Sequence, residues 1–443
     1  MNPSRSCRPN HSWLRRFLVA VLSSFACKLS LPKKQNHSAE AAGKRNRTPA
    51  PHLTPHRDSA DYGPVRFAGW TRSFPMPGMF SRFNMKALSH SIALPTFALA
   101  VLLPCLLSPA WAAPSAAAGK ALQIYFVDVE GGQATLFVTP AKSSLLIDAG
   151  WPDNNGRDAE RIVAAAKKAG ISKIDYVLIT HFHTDHVGGA AQLAGRIPIG
   201  TLIDHGPNRE TTEAETEKGW KVYQQLLASG KYKHLTEKPG DTLPVPGVQA
   251  TVISADGALI AHPLPGAGAS NSYCKSGGHY PPDQTENGRS LGTLLTFDKL
   301  RILDLGDLTK DKEAELMCPI NKLGKVDIYI VSHHGWNQSS SPEFVDAIAP
   351  RVSIMDNGAK KGGTPSTWDI LSKSPGLEDL WQLHFSDEGG PAHNEPAPFI
   401  ANLDGPDAGH YLELTAWSDG SFAVYNSRTR KTKHYAAASS GRR

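Results

Sequence analysis

Ile179-Thr180-His181-Phe182-His183-Thr184-Asp185-His186-Val187-Gly188-Gly189 follows directly on the apolar run Ile174-Asp175-Tyr176-Val177-Leu178. Three histidines and an aspartate therefore fall within six residues at the end of what reads as a buried strand. Residues two apart on extended backbone face the same way, so His181 and His183 can offer imidazole nitrogens to one cation. Asp185 and His186 come where the chain turns into a helix, and adjacent side chains there diverge. One short run can thus feed two metals, and the Gly188-Gly189 turn closes it.

The run His181 to His186 resembles the HxHxDH signature of the metallo-β-lactamase superfamily, and further pieces agree in the same order. Leu146-Ile147-Asp148-Ala149-Gly150 resembles that family's first-motif aspartate, and Asp304-Leu305-Gly306-Asp307 its metal-bridging aspartate. Ser332-His333-His334-Gly335 resembles the HHG motif of the subgroup that includes the hydrolase domain of the competence protein ComEC and phosphorylcholine esterases. The match runs from about Ile124 to Gly358. The resemblance implies an α/β fold, an αββα sandwich holding one or two metals at the sheet edges. It implies ligands His181, His183, Asp185, His186 and Asp307, with Asp148 beneath the metals orienting them. Of the HHG pair, His334 is favoured as ligand and His333 as substrate contact or proton donor, with the opposite assignment left open. Asp185 is a ligand or a base. The third-motif histidine has no clear counterpart, His279 and His205 being the nearest. Val127-Asp128-Val129-Glu130-Gly131-Gly132-Gln133-Ala134 resembles the ComEC run VDVGQGDA, but with Gln133 where that family has aspartate.

The remainder divides by composition. Residues 1–84 mix Arg, Lys, Pro, Ser and His with little periodicity, and read as a disordered extension or a mis-assigned start. Residues 85–112 carry Met85-Lys86, an apolar run from Ile92 to Leu107 and Ala110-Trp111-Ala112, the layout of a secretory signal peptide. Residues 1–112 hold 15 Lys+Arg against 3 Asp+Glu, so the whole-chain balance of +6 hides a basic prefix and a body, 113–443, with 32 against 38. That negative body gives no support to polyanion binding, although nucleic acid stays open as a partner. Stable membrane insertion of the mature chain is not expected, and the expected location is periplasmic or secreted. Of five cysteines, Cys7, Cys27 and Cys105 lie in the part expected to be lost. Cys274 and Cys318 remain, either as a disulfide or as two unrelated buried thiols.

Along the body, Leu122–Val129 and Ala134–Val138 read as a hairpin, Ser144–Asp148 as a strand, and Arg157–Ala169 as a helix stopping at Gly170. His186–Leu193 starts a helix, Thr201–Gly206 is a strand ending in His205, Thr212–Ala228 a helix, and 230–247 a loop. Residues 256–288 form a long loop rich in Gly, Pro, Ser and Asn, expected to be a lid or substrate wall. Its Asn271, Tyr273, His279, Tyr280 and Asp283 are weak substrate candidates, as are His205 and His384 elsewhere. Ser290–Phe297 and Arg301–Leu305 form a hairpin, Val326–Val331 a strand, and the residues beyond continue the second half. Lys360 and Lys361 read first as a solvated pair, second as a neutraliser of an anionic substrate.

The expected chemistry follows from the ligand set. Two divalent ions, zinc first and manganese or iron as alternatives, would give a metal-bound hydroxide at working pH. Asp185 and His333 are the catalytic candidates. The expected activity is hydrolysis of a phosphoester or phosphodiester, the substrate being a small molecule or diester. The alternatives are a lactamase or lactonase, or a noncatalytic anion-binding module on the same scaffold.

Overall fold

The computed structural model describes residues 121–152, 154–275, 278–403 and 407–439, all within one compact unit, Pro104–Arg443. The extension at 1–84 and the signal peptide at 85–112 lie outside the described residues. No helix among the described residues is long and apolar enough to cross a membrane.

The chain first lays down β1 (Leu122–Phe126), β2 (Thr135–Val138), β3 (Ser144–Ile147), β4 (Ile174–Leu178), β5 (Ile199–Asp204) and β6 (Lys233–Thr236). A second sheet follows from β7 (Thr242–Leu243), β8 (Gln249–Ala255), β9 (Ala258–Leu259), β10 (Gly292–Phe297), β11 (Leu300–Asp304), β12 (Ile328–Ile330), β13 (Val352–Met355), β14 (Asp379–His384) and β15 (Ile400–Asn402). Then β16 (Leu412–Ala416), β17 (Phe422–Asn426) and β18 (Lys431–Tyr435) return to the first sheet, β16 pairing antiparallel with β1. Both sheets are nine-stranded.

Alternation along each strand builds the layers. Leu145 and Ile147 of β3 point into the core between the sheets with Ile302, Ile328 and Ile354, whereas Leu146 points outward. The outer face of the first sheet is covered by α1 (Arg157–Lys168), α3 (Ala190–Ala194) and α4 (Ala214–Ala228), through Ile162, Leu193 and Tyr223. The outer face of the second is covered by α5 (Lys310–Met317), α6 (Pro342–Ile348) and α7 (Pro365–Ser372), through Leu316, Phe344 and Leu371. Each such side chain contributes about 1.5–3 kcal/mol by burial. The result is the αββα sandwich. Helix α1 shows the local logic: Asp158 and Glu160 sit in its first turn, Lys167 and Lys168 in its last, and Gly170 at φ 74° ends it.

Four expectations are corrected. The helix from His186 is divided into α2 (Thr184–Val187) and α3 at Gly188-Gly189, where the chain passes so close to β3 that a Cβ at Gly189 would stand 2.1 Å from the Ala149 carbonyl. The loop 230–247 contains β6 and β7; β6, with Lys233, His234 and Thr236 exposed, is a polar edge strand that carries no apolar alternation. The closing strands do not continue the second half but complete the first sheet. The loop 256–288, expected as a lid or substrate wall, is tied down as a brace, which removes the lid. Cys274 and Cys318 are joined by a disulfide with Cα atoms 5.7 Å apart. Asn271 Nδ2 donates to the carbonyls of Met317 and Glu343, and Tyr280 donates to Glu343.

Candidate metal centre

Strands β3 to β6 run parallel to one another, as do β11 to β15. Their carboxyl ends deliver every loop of interest to one crevice, where α/β folds place their ligands. Asp148 follows β3, the His181–His186 run follows β4, Asp307 follows β11, His333 and His334 follow β12, and Lys361 follows β13. The turn after β12 is unusual. His333 and His334 both sit in the left-handed region, at φ 57° and 54°, followed by Gly335 at φ 79°. Such backbone costs of order 1 kcal/mol per residue and persists only where its surroundings impose it. It brings both imidazoles to Asp307.

Four histidines surround the centre, each turning one ring nitrogen inward, and three of them give the other to an oxygen. His186 Nδ1 is 2.7 Å from Asp148 Oδ2, His181 Nδ1 is 3.0 Å from Thr180 Oγ1 and His183 Nε2 is 2.9 Å from Glu210 Oε2, whereas His334 Nδ1 is buried without a hydrogen bond, 3.4 Å from Asp356 Oδ1. An outer oxygen fixes the tautomer that leaves the inner lone pair free to bind a cation. Asp148 is itself locked, accepting from the backbone N–H and hydroxyl of Thr180 at 2.8 and 2.7 Å.

The inner atoms form two groups that share Asp307: Asp185, His186, Asp307 and His334 in one, His181, His183 and Asp307 in the other. In the first, Asp185 Oδ2 is 3.2 Å from His186 Nε2 and 3.1 Å from His334 Nε2. The two Nε2 atoms are 3.2 Å apart, and Asp307 Oδ1 lies 3.3 and 3.5 Å from them. These are five of the six edges of a tetrahedron, and a regular one with edges of that length has its centre about 2.0 Å from each corner, which is the zinc–nitrogen distance. Asp307 Oδ1 is buried and has no hydrogen-bond partner, an arrangement that burial makes costly unless a cation is the intended partner. The residues present therefore fit a divalent ion. In the second group, His181 Nε2 and His183 Nδ1 are 3.1 Å apart and Asp307 Oδ2 is 3.8 Å from His181 Nε2.

The charges answer one another. Burial works against ionisation of Asp307, but His186, His333 and His334 hold it well below the usual carboxylate range. Burial likewise opposes the charge of Asp185, which Lys361 and His186 outweigh. Burial lowers His333 to about 4, whereas for His334 it is overcome by Asp307 and the value rises to about 9.

The other candidates fall outside the two groups. His333 Nε2 stands 3.4 Å from Asp307 Oδ2, beside them. His205 is corrected: it is 3% exposed, with Nε2 given to Glu286 at 3.0 Å and its ring against Phe182, so packing rather than substrate occupies it. His279 is exposed on the long loop and reaches neither group, so no histidine there supplies the third-motif position. His384 is buried at the rim, its Nε2 2.7 Å from Asp128 Oδ1. Asn271 and Tyr280 are engaged in the brace.

Sequence reading missed Glu210 and Glu286, which tie the second group to the long loop: Glu286 accepts from the N–H of Phe182 and its own N–H donates to Glu210. Neither stands in a recognisable motif. Gln133 donates to Asp304 Oδ2 at 2.7 Å, joining the two sheets under the centre, and burial raises Asp304 to about 8. Lys361, read first as solvated, makes a short contact with Asp185 Oδ2 and lies over the Trp151 ring.

Residues 127–279 match the profile of the Metallo-beta-lactamase superfamily. The chain is 25% identical over 189 residues to ComE operon protein 3 of Bacillus subtilis, covering 43% of this chain and 20% of that protein. It is 24% identical over 278 residues to Recombination protein 2 of Haemophilus influenzae, covering 62% of this chain and 28% of that one. The chain thus spans under a third of the length of these relatives. Among solved structures, the metallo-beta-lactamase fold protein YhfI from Bacillus subtilis aligns at TM-score 0.37 and 11% identity, over 66% of this chain and 98% of that one. Residues 127–279 thus match a metallo-β-lactamase superfamily domain, and the two relatives support a likeness to the ComEC-like subgroup.

Proposed function

We propose that this metallo-β-lactamase superfamily chain is an exported, two-metal hydrolase of phosphoesters or phosphodiesters. The observation that supports it is Asp307, whose two oxygens face two separate groups of histidine and carboxylate atoms. Divalent ions held there would lower the pKa of a water toward neutrality and polarise a phosphoryl oxygen. The remaining work falls to the chain. His181, His183 and Asp307 hold one position; Asp185, His186, His334 and Asp307 hold the other. Asp148 and Thr180 orient His186 through Nδ1, so that its Nε2 keeps a fixed direction. His333, kept neutral by burial, accepts a proton or hydrogen bond at Nε2 beside Asp307 Oδ2. Asp185 serves as ligand. Export is supported by the basic, apolar and small-residue pattern of 85–112 and by the Cys274–Cys318 disulfide, since such bonds persist in oxidising compartments.

The test is metal content of the purified full-length chain by mass spectrometry, with turnover of bis(p-nitrophenyl) phosphate before and after chelation. Two ions per chain and chelator-sensitive turnover are expected. No bound metal, with no turnover after zinc or manganese is restored, overturns the reading and leaves an anion-binding module. Metal-dependent opening of a lactam or lactone without diester hydrolysis moves the activity to that class.

A further inference from the structure

Lys361 stands on the chain between β13 and α7, on a loop whose backbone is fixed from both sides. The Gly358 N–H donates to the Lys361 carbonyl at 2.9 Å, that of Gly363 to His334 at 2.9 Å, and that of Thr364 to Gly335 at 3.0 Å. A Cβ at Gly131 would meet Gly358 N and Lys361 Cβ, each at 2.9 Å, and one at Gly362 would stand 2.1 Å from the His334 carbonyl. The loop is wedged between the β1–β2 connection and the histidine turn, so the side chain of Lys361 is its adjustable part.

That side chain is not a solvated surface lysine. It is 23% exposed, its ammonium lies 5.1 Å from the centre of the Trp151 ring, and it meets Asp185 Oδ2. An ammonium carries three donors. Asp185 takes one, and the other two find no acceptor among the described residues. A fixed positive charge beside a carboxylate that faces metal ions works against those ions by repulsion. Its position is therefore unfavourable for metal binding alone, and becomes favourable when an anion arrives at the same place.

We propose that Lys361, seated on Trp151 and anchored at Asp185, is the residue that binds the anionic oxygen of the substrate, and so selects for phosphate esters over neutral ones. This rests on the phosphoester reading of the centre and adds the group that recognises the charge. Trp151 orients the ammonium by its ring face, Asp185 sets its distance from the metal-facing atoms, and the two remaining N–H donors take a phosphate oxygen.

The test is calorimetric binding of inorganic phosphate to the full-length chain, as purified and after zinc loading, for wild type, K361M and K361R, with metal content measured on each. K361M is expected to weaken phosphate binding about 10- to 100-fold, the value of a charge-assisted hydrogen bond, with metal content not reduced. K361R, which keeps the charge, is expected to hold within about tenfold of wild type. A merely structural lysine would instead loosen the metals in K361M and leave phosphate binding of the metal-loaded protein unchanged. Equal phosphate affinity in wild type and K361M, or none in wild type, overturns the proposal. Two bound metals with equal phosphate affinity removes the role of Lys361 alone, and a wild type without metal removes the hydrolase reading while the phosphate comparison still judges Lys361. If K361M does not fold, K361Q carries the same comparison.

Discussion

Two sets of histidine and carboxylate stand at the same edge of the sandwich, and they differ in what answers their charge. At the centre, Asp307 Oδ1 is buried without a hydrogen bond and two imidazole nitrogens face each other at 3.2 Å. At the rim, Asp128, Glu130 and His384 also lie close enough to hold an ion. There, however, Asp128 Oδ1 takes His384 at 2.7 Å and the N–H of Glu130 at 3.0 Å, and Oδ2 takes Arg161 at 3.1 Å. Arg161 also pairs with Asp407. Every acceptor of Asp128 already has its donor. Density of ligating residue types therefore does not make a metal site; orphaned acceptors with oriented lone pairs do.

The comparison breaks most visibly at Asp307. Replacing it as D307N removes the carboxylate both inner groups share, and is expected to strip metal and lower diester turnover on the order of 1000-fold; metal analysis and initial rates check it, and full metal content in D307N would sink the shared-carboxylate view. One step out, D148N leaves the ligands in place but loosens the tautomer of His186. Its metal affinity is expected to fall about 10- to 100-fold in a competition titration with a chromogenic chelator.

The rim answers differently. H384N is expected to keep the wild-type metal count while lowering stability by about 1–3 kcal/mol in urea, through a lost hydrogen bond to a buried carboxylate. Loss of an ion in H384N would make the rim a metal site after all. The smallest effect is in pH. Burial opposes the charge of His384, but Asp128 and Glu130 outweigh it and its pKa is raised above 6.5. A raised histidine contributes fully below its unfolded value and loses that contribution as pH climbs through the folded one. The gap in Tm between wild type and H384N is therefore expected to be wider near about pH 5.5 than near about pH 9. A gap that widens with pH would contradict the pairing.

How much of this was legible follows the distance along the chain over which each signal acts. The HxHxDH run, Asp148, Asp307 and the histidine pair stand out because each is a short motif at a strand end, where geometry is local. Edge strand β6 has no apolar pattern to read, and the return of β16 to β18 to the first sheet depends on the open edge of β1, hundreds of residues earlier. The ligand choice within His333-His334 was open in sequence because adjacent residues are equivalent there. Two successive left-handed residues, with the His334 carbonyl lying against Gly362 and accepting from the Gly363 N–H, accompany the placement of His334 among the four inner atoms.

From sequence alone, strand periodicity and short-range spacing determined the local elements and the clustering of His181, His183, Asp185 and His186, and the resemblance to the metallo-β-lactamase superfamily implied the sandwich and the other side chains around its centre. Tertiary structure alone decided which carboxylates are left without donors, that His205 serves Glu286, and that Lys361 faces Asp185 over Trp151. The role of a charged side chain is set by the charges that the fold brings within a few ångströms of it, and those come from strands far apart in sequence.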